Sequence, residues 1–220
     1  VFTHTGHAPI PELTVSNVGG KRHYVTPDGH KYPSITTVLG SKEKPWLDNW
    51  QKMLGDKKAE KEKKRATDRG NAIHEMVENY LNNKDKPTKG YDAEHIRGFN
   101  KLKYCLNRID NIRAQEVALY SDVLKVAGRV DCIGEYNGTL SIIDFKTSSN
   151  DKNKNMIDDY FKQATAYAIM WYELTGESIT NISILMSVEK GMVPLVFEDS
   201  IDNWVEPLLV DIHGYYNQTN

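Results

Sequence analysis

Two aspartates and a lysine in the middle of the chain have the types and spacing of a metal-assisted phosphodiester site. Asp131 stands in Gly128-Arg129-Val130-Asp131, and Asp144 and Lys146 stand in Ile142-Ile143-Asp144-Phe145-Lys146-Thr147-Ser148. Between them lies Asn137-Gly138, the dipeptide best suited to a type I′ turn, because both central positions need positive φ. With Tyr136 facing Thr139, counting outward sets Asp131 opposite Asp144, with Cβ atoms roughly 5 Å apart. Strand alternation puts Lys146 on the same face, beside Arg129, and turns Ile143 and Phe145 toward the core. Opposed like charges destabilise a sheet, and the apolar neighbours limit relief by solvent. A divalent cation between the carboxylates offsets that repulsion, and hard oxygen ligands suit magnesium or manganese. Such an ion lowers the pKa of bound water and polarises a phosphate, and Lys146 adds positive charge beside it. A surface cluster of ion pairs among Arg129, Asp131, Asp144 and Lys146 is the plainer alternative. The shared register and the apolar flanks favour the metal.

The elements that must carry these residues are legible from periodicity. Residues 1–30 read as an irregular N-terminal extension with one short strand at His23 to Thr26, and 31–220 as a single domain. Ser34 or Thr36 fits the cap of a short helix or a donor to a phosphate. Lys42 to Arg69 is a charged helical stretch with basic excess, and Trp46 and Trp50 lie near its start. Those tryptophans suit either stacking on unpaired bases or anchoring the helix. Asp68 is the expected cap of a separate helix to Leu81, with Ile73, Met76, Val77, Tyr80 and Leu81 inward. His74 lies beside that stripe, where it suits a structural role or a metal ligand. A second helix is predicted from Asp92 to about Asp110. From Ala114 the period changes to that of strands: Gln115 to Tyr120, Ala127 to Tyr136 and Thr139 to Thr147. A helix over Asp158 to Leu174 ends at Gly176. Strands follow at Asn181 to Val188 and Val193 to Phe197, then a helix over Ile201 to Tyr216. This order predicts an α/β or α+β fold with a mixed sheet.

Composition narrows the function classes. The 220 residues have a formal net charge of -2 and 39% hydrophobic residues, with a mean hydropathy of -0.58. The charge excludes a binder that relies on overall positive charge, while a carboxylate-bearing enzyme of nucleic acid remains compatible. Two separated cysteines, Cys105 and Cys132, exclude a four-thiolate iron–sulfur cluster within this chain and give no zinc spacing. His74-Glu75-Met76-Val77-Glu78 lacks the second histidine of H-E-x-x-H, which excludes a zincin. No membrane span or signal peptide is expected, so a cytoplasmic location follows, that of the host for a phage-encoded chain. The chain starts with Val, so a mitochondrial matrix location is expected instead if a targeting segment has been removed.

The hairpin residues, the upstream helix with His74, and Gln163-Ala164-Thr165-Ala166-Tyr167 on the following helix resemble the PD-(D/E)xK superfamily. The Q-xxx-Y pattern marks its RecB-type branch. Tyr32-Pro33-Ser34-Ile35-Thr36 and Ile73-His74-Glu75 extend the resemblance toward mitochondrial and phage exonucleases of that branch, over roughly Tyr32 to Phe197. The resemblance implies a restriction-endonuclease-like central mixed sheet flanked by helices, and exonucleolytic cleavage of DNA with a preference for single strands or free ends. It implies His74, Asp131, Asp144 and the main-chain carbonyl of Phe145 as ligands of Mg2+ or Mn2+, and Lys146 as the residue that orients or activates water. Gln163 and Tyr167, four apart on one helical face, suit packing alone; the resemblance implies contact with DNA. Glu116, at the start of a strand before the hairpin, suits a supporting place in the metal shell. A monomer acting on DNA, without a membrane, is the expected arrangement. The rival readings are a duplex-end 5′-exonuclease that works as a ring, and a non-catalytic DNA-binding module.

Overall fold

A single run of strands between helical stretches builds three layers. The structure is a computed structural model that describes residues 1–219, with side chains for all of these except Trp46 and Thr219. The central sheet holds β4 (Ile109–Ser121), β5 (Val126–Tyr136), β6 (Thr139–Ser148), β7 (Asn181–Val188) and β8 (Leu195–Ser200), paired in that order. Neighbours are antiparallel except β6 and β7, which run parallel. The parallel step requires a crossover, and α5 (Asp158–Thr175) supplies it, ending at Gly176 with φ 76°. One face of the sheet packs against α1 (Ile35–Leu39), α5 and α6 (Val205–Thr219). The other packs against α3 (Asp56–Leu81) and α4 (Ala93–Leu106). Along β6, Ile142 enters the first core and Ile143 and Phe145 the second, as alternation requires. Among the described residues no helix is long and apolar enough to cross a membrane.

Several elements depart from their sequence-based expectation for local reasons. Residues 1–30 are more regular than expected: β1 (Thr14–Val18) and β2 (Lys21–Val25) form a hairpin, and β3 (Lys31–Pro33) completes a small antiparallel sheet. Gly19 and Gly20, at φ 56° and 76°, make the two-residue turn. Strand β1 is largely exposed and so lacks the apolar alternation that marks a strand. Nor is the extension detached. Thr5 and Thr3 bond the main chain of Ile112 at the edge of β4, and Tyr24 is fully buried.

Asp68 does not start a helix. Helix α3 runs unbroken through it, and Asp68 pairs with Lys64 one turn back at 2.8 Å. A run of Lys, Glu and Ala sustains helix without a new cap. Helix α2 (Pro45–Leu54) precedes it, and Gly55 at φ 79° turns the chain between them. Asp92 does cap α4, accepting from the His95 amide at 2.9 Å, but α4 ends at Leu106 and Ile109 already belongs to β4. The side chain of Trp46, expected to stack on bases or anchor α2, lies outside the described residues.

Candidate active site

The Asn137-Gly138 turn sets the hairpin register as expected, with φ of 51° and 79° and Tyr136 facing Thr139. The ladder between β5 and β6 then stops at Cys132 and Ile143. The next pair, Asp131 and Asp144, is not a ladder pair, which corrects the expectation of two aspartates set face to face. Beyond this point β5 stays with β4 and β6 stays with β7, so the sheet forks. Across the fork the Phe145 amide donates to Asp131 Oδ2 at 2.8 Å. Asp131 thus accepts the hydrogen bond that a continuing ladder would have given to main chain.

A second irregularity faces the first. In the register of β4 with β5, Glu116 falls across from Asp131, and this pair alone drops out between Gln115–Cys132 and Val117–Val130. Glu116 has φ 50°, a left-handed conformation uncommon for a non-glycine residue in a strand. The core-facing phase changes across it: Ala114 and Leu119 share one core, and so do Val130 and Ile133. The distortion brings Glu116, Asp131 and His74 together, with one ligand atom from each within 4.8 Å of the others. His74 comes from α3, with Nδ1 3.7 Å from Asp131 Oδ2 and its ring edge-on to Phe145.

Asp144 lies just beneath, 1% exposed. Lys146 Nζ is 2.6 Å from its Oδ2, close enough for an ion pair. Oδ1 has no hydrogen-bond partner among the described residues, and Oδ2 meets the ammonium. A buried carboxylate left this way is costly unless a cation completes it. Lys146 is held from three sides: by Asp144, by Gln163 Oε1 at 3.3 Å, and by the Tyr160 ring, whose centroid is 4.9 Å away. Gln163 Nε2 donates to the Tyr167 hydroxyl at 3.0 Å. The Q-xxx-Y pair therefore reaches the lysine directly.

The electrostatics follow from crowding. Burial, then the Asp131 charge, pushes Glu116 up to about 7. Burial raises Asp144, with Lys146 opposing. Burial pulls the Lys146 ammonium down, but the Asp144 and Asp131 charges outweigh it and leave it raised. Lys146 therefore stays protonated at neutral pH and acts as a donor of charge and hydrogen bonds. The donor set fits a hard divalent cation: carboxylate oxygens, one imidazole, and the buried Asp144 Oδ1 without a hydrogen-bond partner. Glu116 joins His74, Asp131 and Asp144 as a candidate ligand, and the Phe145 main chain is at hand through its bond to Asp131.

A stability consequence can be signed. A carboxyl raised from 4.5 to about 7 stabilises the fold fully below the lower value, and that contribution is lost as pH rises through the higher one. In EDTA, the thermal midpoint should fall between about pH 5 and about pH 8, and manganese or magnesium should reverse the fall. Glu116→Gln should flatten the profile relative to the native chain; an equally steep profile in the variant would contradict this assignment.

All of these groups except Asp144, Phe145 and Tyr160 open onto a cleft of about 510 Å³. His74, Asp131, Lys146, Gln163, Tyr167, Ser34 and Thr36 all line it, as do Glu116, Arg22 and Arg129. Ser34 caps α1, accepting from the Thr37 amide at 3.1 Å, so the cap is formed. Its hydroxyl also meets that of Thr36 at 3.0 Å. Arg129 donates to the Glu116 carbonyl at 3.3 Å. Gly128 admits the Tyr167 ring: a Cβ there would lie 2.7 Å from Tyr167 Cε1.

A five-stranded mixed sheet between helical layers, with acidic residues and a lysine at its fork, is the arrangement of the PD-(D/E)XK nuclease superfamily. The profile of that superfamily matches residues 92–192, a stretch that holds Glu116, Asp131, Asp144, Lys146, Gln163 and Tyr167 but not His74, Ser34 or Thr36. The resemblance read from the motifs is thus supported. At the level of individual proteins the chain is similar to mitochondrial genome maintenance exonuclease 1. It is 27% identical to the Mus musculus protein over 128 residues, covering 54% of this chain and 38% of that one. Identity is 27% over 177 residues with the Homo sapiens protein and 28% over 175 residues with that of Xenopus tropicalis. Each of these two matches covers 76% of this chain and 49% of the relative. The chain therefore spans about half the length of the curated relatives it matches.

Proposed function

We propose that the chain is a divalent-metal-dependent DNA exonuclease that prefers single strands or free single-stranded ends. One observation carries the reading: Asp144 is buried beside Lys146 with its Oδ1 lacking a hydrogen-bond partner, at a fork that also gathers His74, Glu116 and Asp131. Magnesium or manganese held by His74, Glu116, Asp131, Asp144 and the Phe145 carbonyl would supply a water of lowered pKa and offset charge on the phosphate. Lys146, kept protonated and fixed by Gln163 and Tyr160, orients a water or a phosphate oxygen by donating to it. Gln163 and Tyr167 hold that lysine and border the strand in the cleft. Ser34, Thr36 and Arg22 contact the DNA backbone, since most such hydrogen bonds go to phosphate and sugar.

The single-strand preference rests on similarity to the exonucleases and on the segment from Lys42 to Arg69. Its ends are fastened to the body: Lys42 pairs with Asp159 and Asp211, and Arg65 with Glu189. Those cations are consequently not available to DNA. Lys52 on α2 also enters no ion pair among the described residues; Lys57, Lys58 and Lys61, exposed near the start of α3, form a cluster of three that remains for a strand to meet. Neutralising these three should weaken single-strand binding and reduce its salt slope by about 2, at about 0.7 per phosphate contact. An unchanged slope would remove the segment from the binding surface.

The function is tested with end-labelled single- and double-stranded DNA, blocked at either end, incubated with magnesium or manganese beside Asp144→Ala. Stepwise loss of nucleotides from unblocked single strands, absent in the variant, is expected. Intact substrate under every metal condition would favour a binding module, and preferential digestion of blunt duplex a duplex-end enzyme.

A further inference from the structure

Strand β2 has two faces with different roles. Arg22 and Tyr24 line the cleft, whereas Lys21 and His23, at the alternate positions, line a separate groove of about 440 Å³ together with Lys31, Tyr215 and Tyr216. Among the described residues no carboxylate lines that groove. Lys21 Nζ lies 5.9 Å from the centre of the Tyr215 ring, and neither Lys21 nor Lys31 forms an ion pair among the described residues. Residues 14–33 carry Lys21, Arg22 and Lys31 against Asp28 alone, in a chain whose net charge is -2. Positive charge is therefore concentrated on this small sheet and, unlike that of Lys42 and Arg65, enters no ion pair among the described residues.

We propose that this groove is a second binding surface for single-stranded DNA, engaging the part of a strand that extends past the cleft. The inference rests on the nuclease reading of the cleft and adds to it a path for the substrate. A single strand requires cations for its phosphates and aromatic side chains for its bases or sugars; here the half-buried Tyr216 supplies the aromatic contact, since Tyr215 is only 7% exposed. Arg22 faces the cleft while its two chain neighbours face the groove, so the two surfaces lie on opposite faces of the small sheet and are separated by its thickness. The main-chain carbonyl of Arg22 accepts from the Ser34 amide at 2.9 Å, which fixes the small sheet to the rim of the cleft. The groove recognises backbone charge and aromatic contact, so it confers length dependence and little sequence preference.

The test compares labelled oligothymidylates of about 6 and about 20 nucleotides, spanning the site sizes usual for such surfaces. Binding is measured in the Lys146→Ala background to prevent cleavage, with and without Lys21→Glu and Lys31→Glu. Affinity for the long oligomer should fall about tenfold at low salt, and the slope of log K against log salt should fall by about 1.4, the equivalent of two phosphates. Affinity for the short oligomer should stay unchanged, as should its cleavage by the chain carrying only the two charge reversals. Both lysines are exposed, so the thermal midpoint should not move; Lys21→Gln with Lys31→Gln, expected to give a smaller loss of the same kind, guards against a folding effect. Equal loss for both lengths, or none for the long one, overturns the groove alone. Failure of the native chain to cleave either oligomer overturns the nuclease reading and the groove with it.

Discussion

Lys146→Ala should lower DNA cleavage by about three orders of magnitude or more while leaving DNA affinity within a few-fold of native. The reason lies in what surrounds the ammonium. It is the positive charge that faces Asp144, at 2.6 Å, and it is held in place by Gln163 and Tyr160. Its removal takes away a donor fixed before the substrate arrives, which costs little binding and much rate. Lys146→Arg should not restore the rate, because a planar guanidinium cannot occupy a point-charge position packed between a carboxylate, an amide and a ring. Single-turnover cleavage and anisotropy on the same oligonucleotide separate the two effects. A variant that retains a tenth of the native rate would place the lysine outside the chemistry.

Gly128→Ala should damage both stability and rate. The added methyl would lie 2.7 Å from Tyr167 Cε1 and 3.2 Å from Ile35 Cγ2. Tyr167 is buried and bonded to Gln163, so its ring has nowhere to withdraw without releasing the amide that holds Lys146. Overpacking of this kind costs about 2 kcal/mol, which for a chain of this size lowers the melting midpoint by roughly 4–8 °C. The rate should drop about tenfold or more, as it does when a positioning group shifts by about an ångström. Tyr167→Leu added to Gly128→Ala should recover much of the stability and none of the rate, a non-additivity expected for residues in contact. Additive stability losses would show that Tyr167 does not meet the new methyl.

The hairpin was readable because one dipeptide fixes its register and period-2 patterning fixes its faces. That reading holds as far as Cys132 and Ile143 and fails one pair later, where β6 loses β5 and keeps β7. Nothing local to Asp131 signals the loss; β6 stays with a parallel strand that begins about fifty residues further along, delivered by α5. Glu116 is hard to place from sequence for a related reason. Counting across the turn between Ser121 and Val126 sets Glu116 opposite Asp131. That turn has no Asn-Gly signature, so the sequence alone leaves its register open. Gln163 and Tyr167 were recognised as a pair on one helical face, but their link to Lys146 depends on the placing of α5 against the fork. The small N-terminal sheet escaped notice because an exposed hairpin carries no apolar periodicity.

The left-handed backbone at Glu116 also limits what mutation can explore there. Mid-strand positions usually drift toward valine, isoleucine or threonine, and these are the residues a positive φ disfavours most. Any replacement meets two filters, one for conformation and one for an oxygen ligand, and aspartate and asparagine are the side chains best able to satisfy both. The same distortion that gathers the ligands therefore narrows the neutral variation open to this position, and random substitution there should be tolerated less than at the exposed lysines of α3.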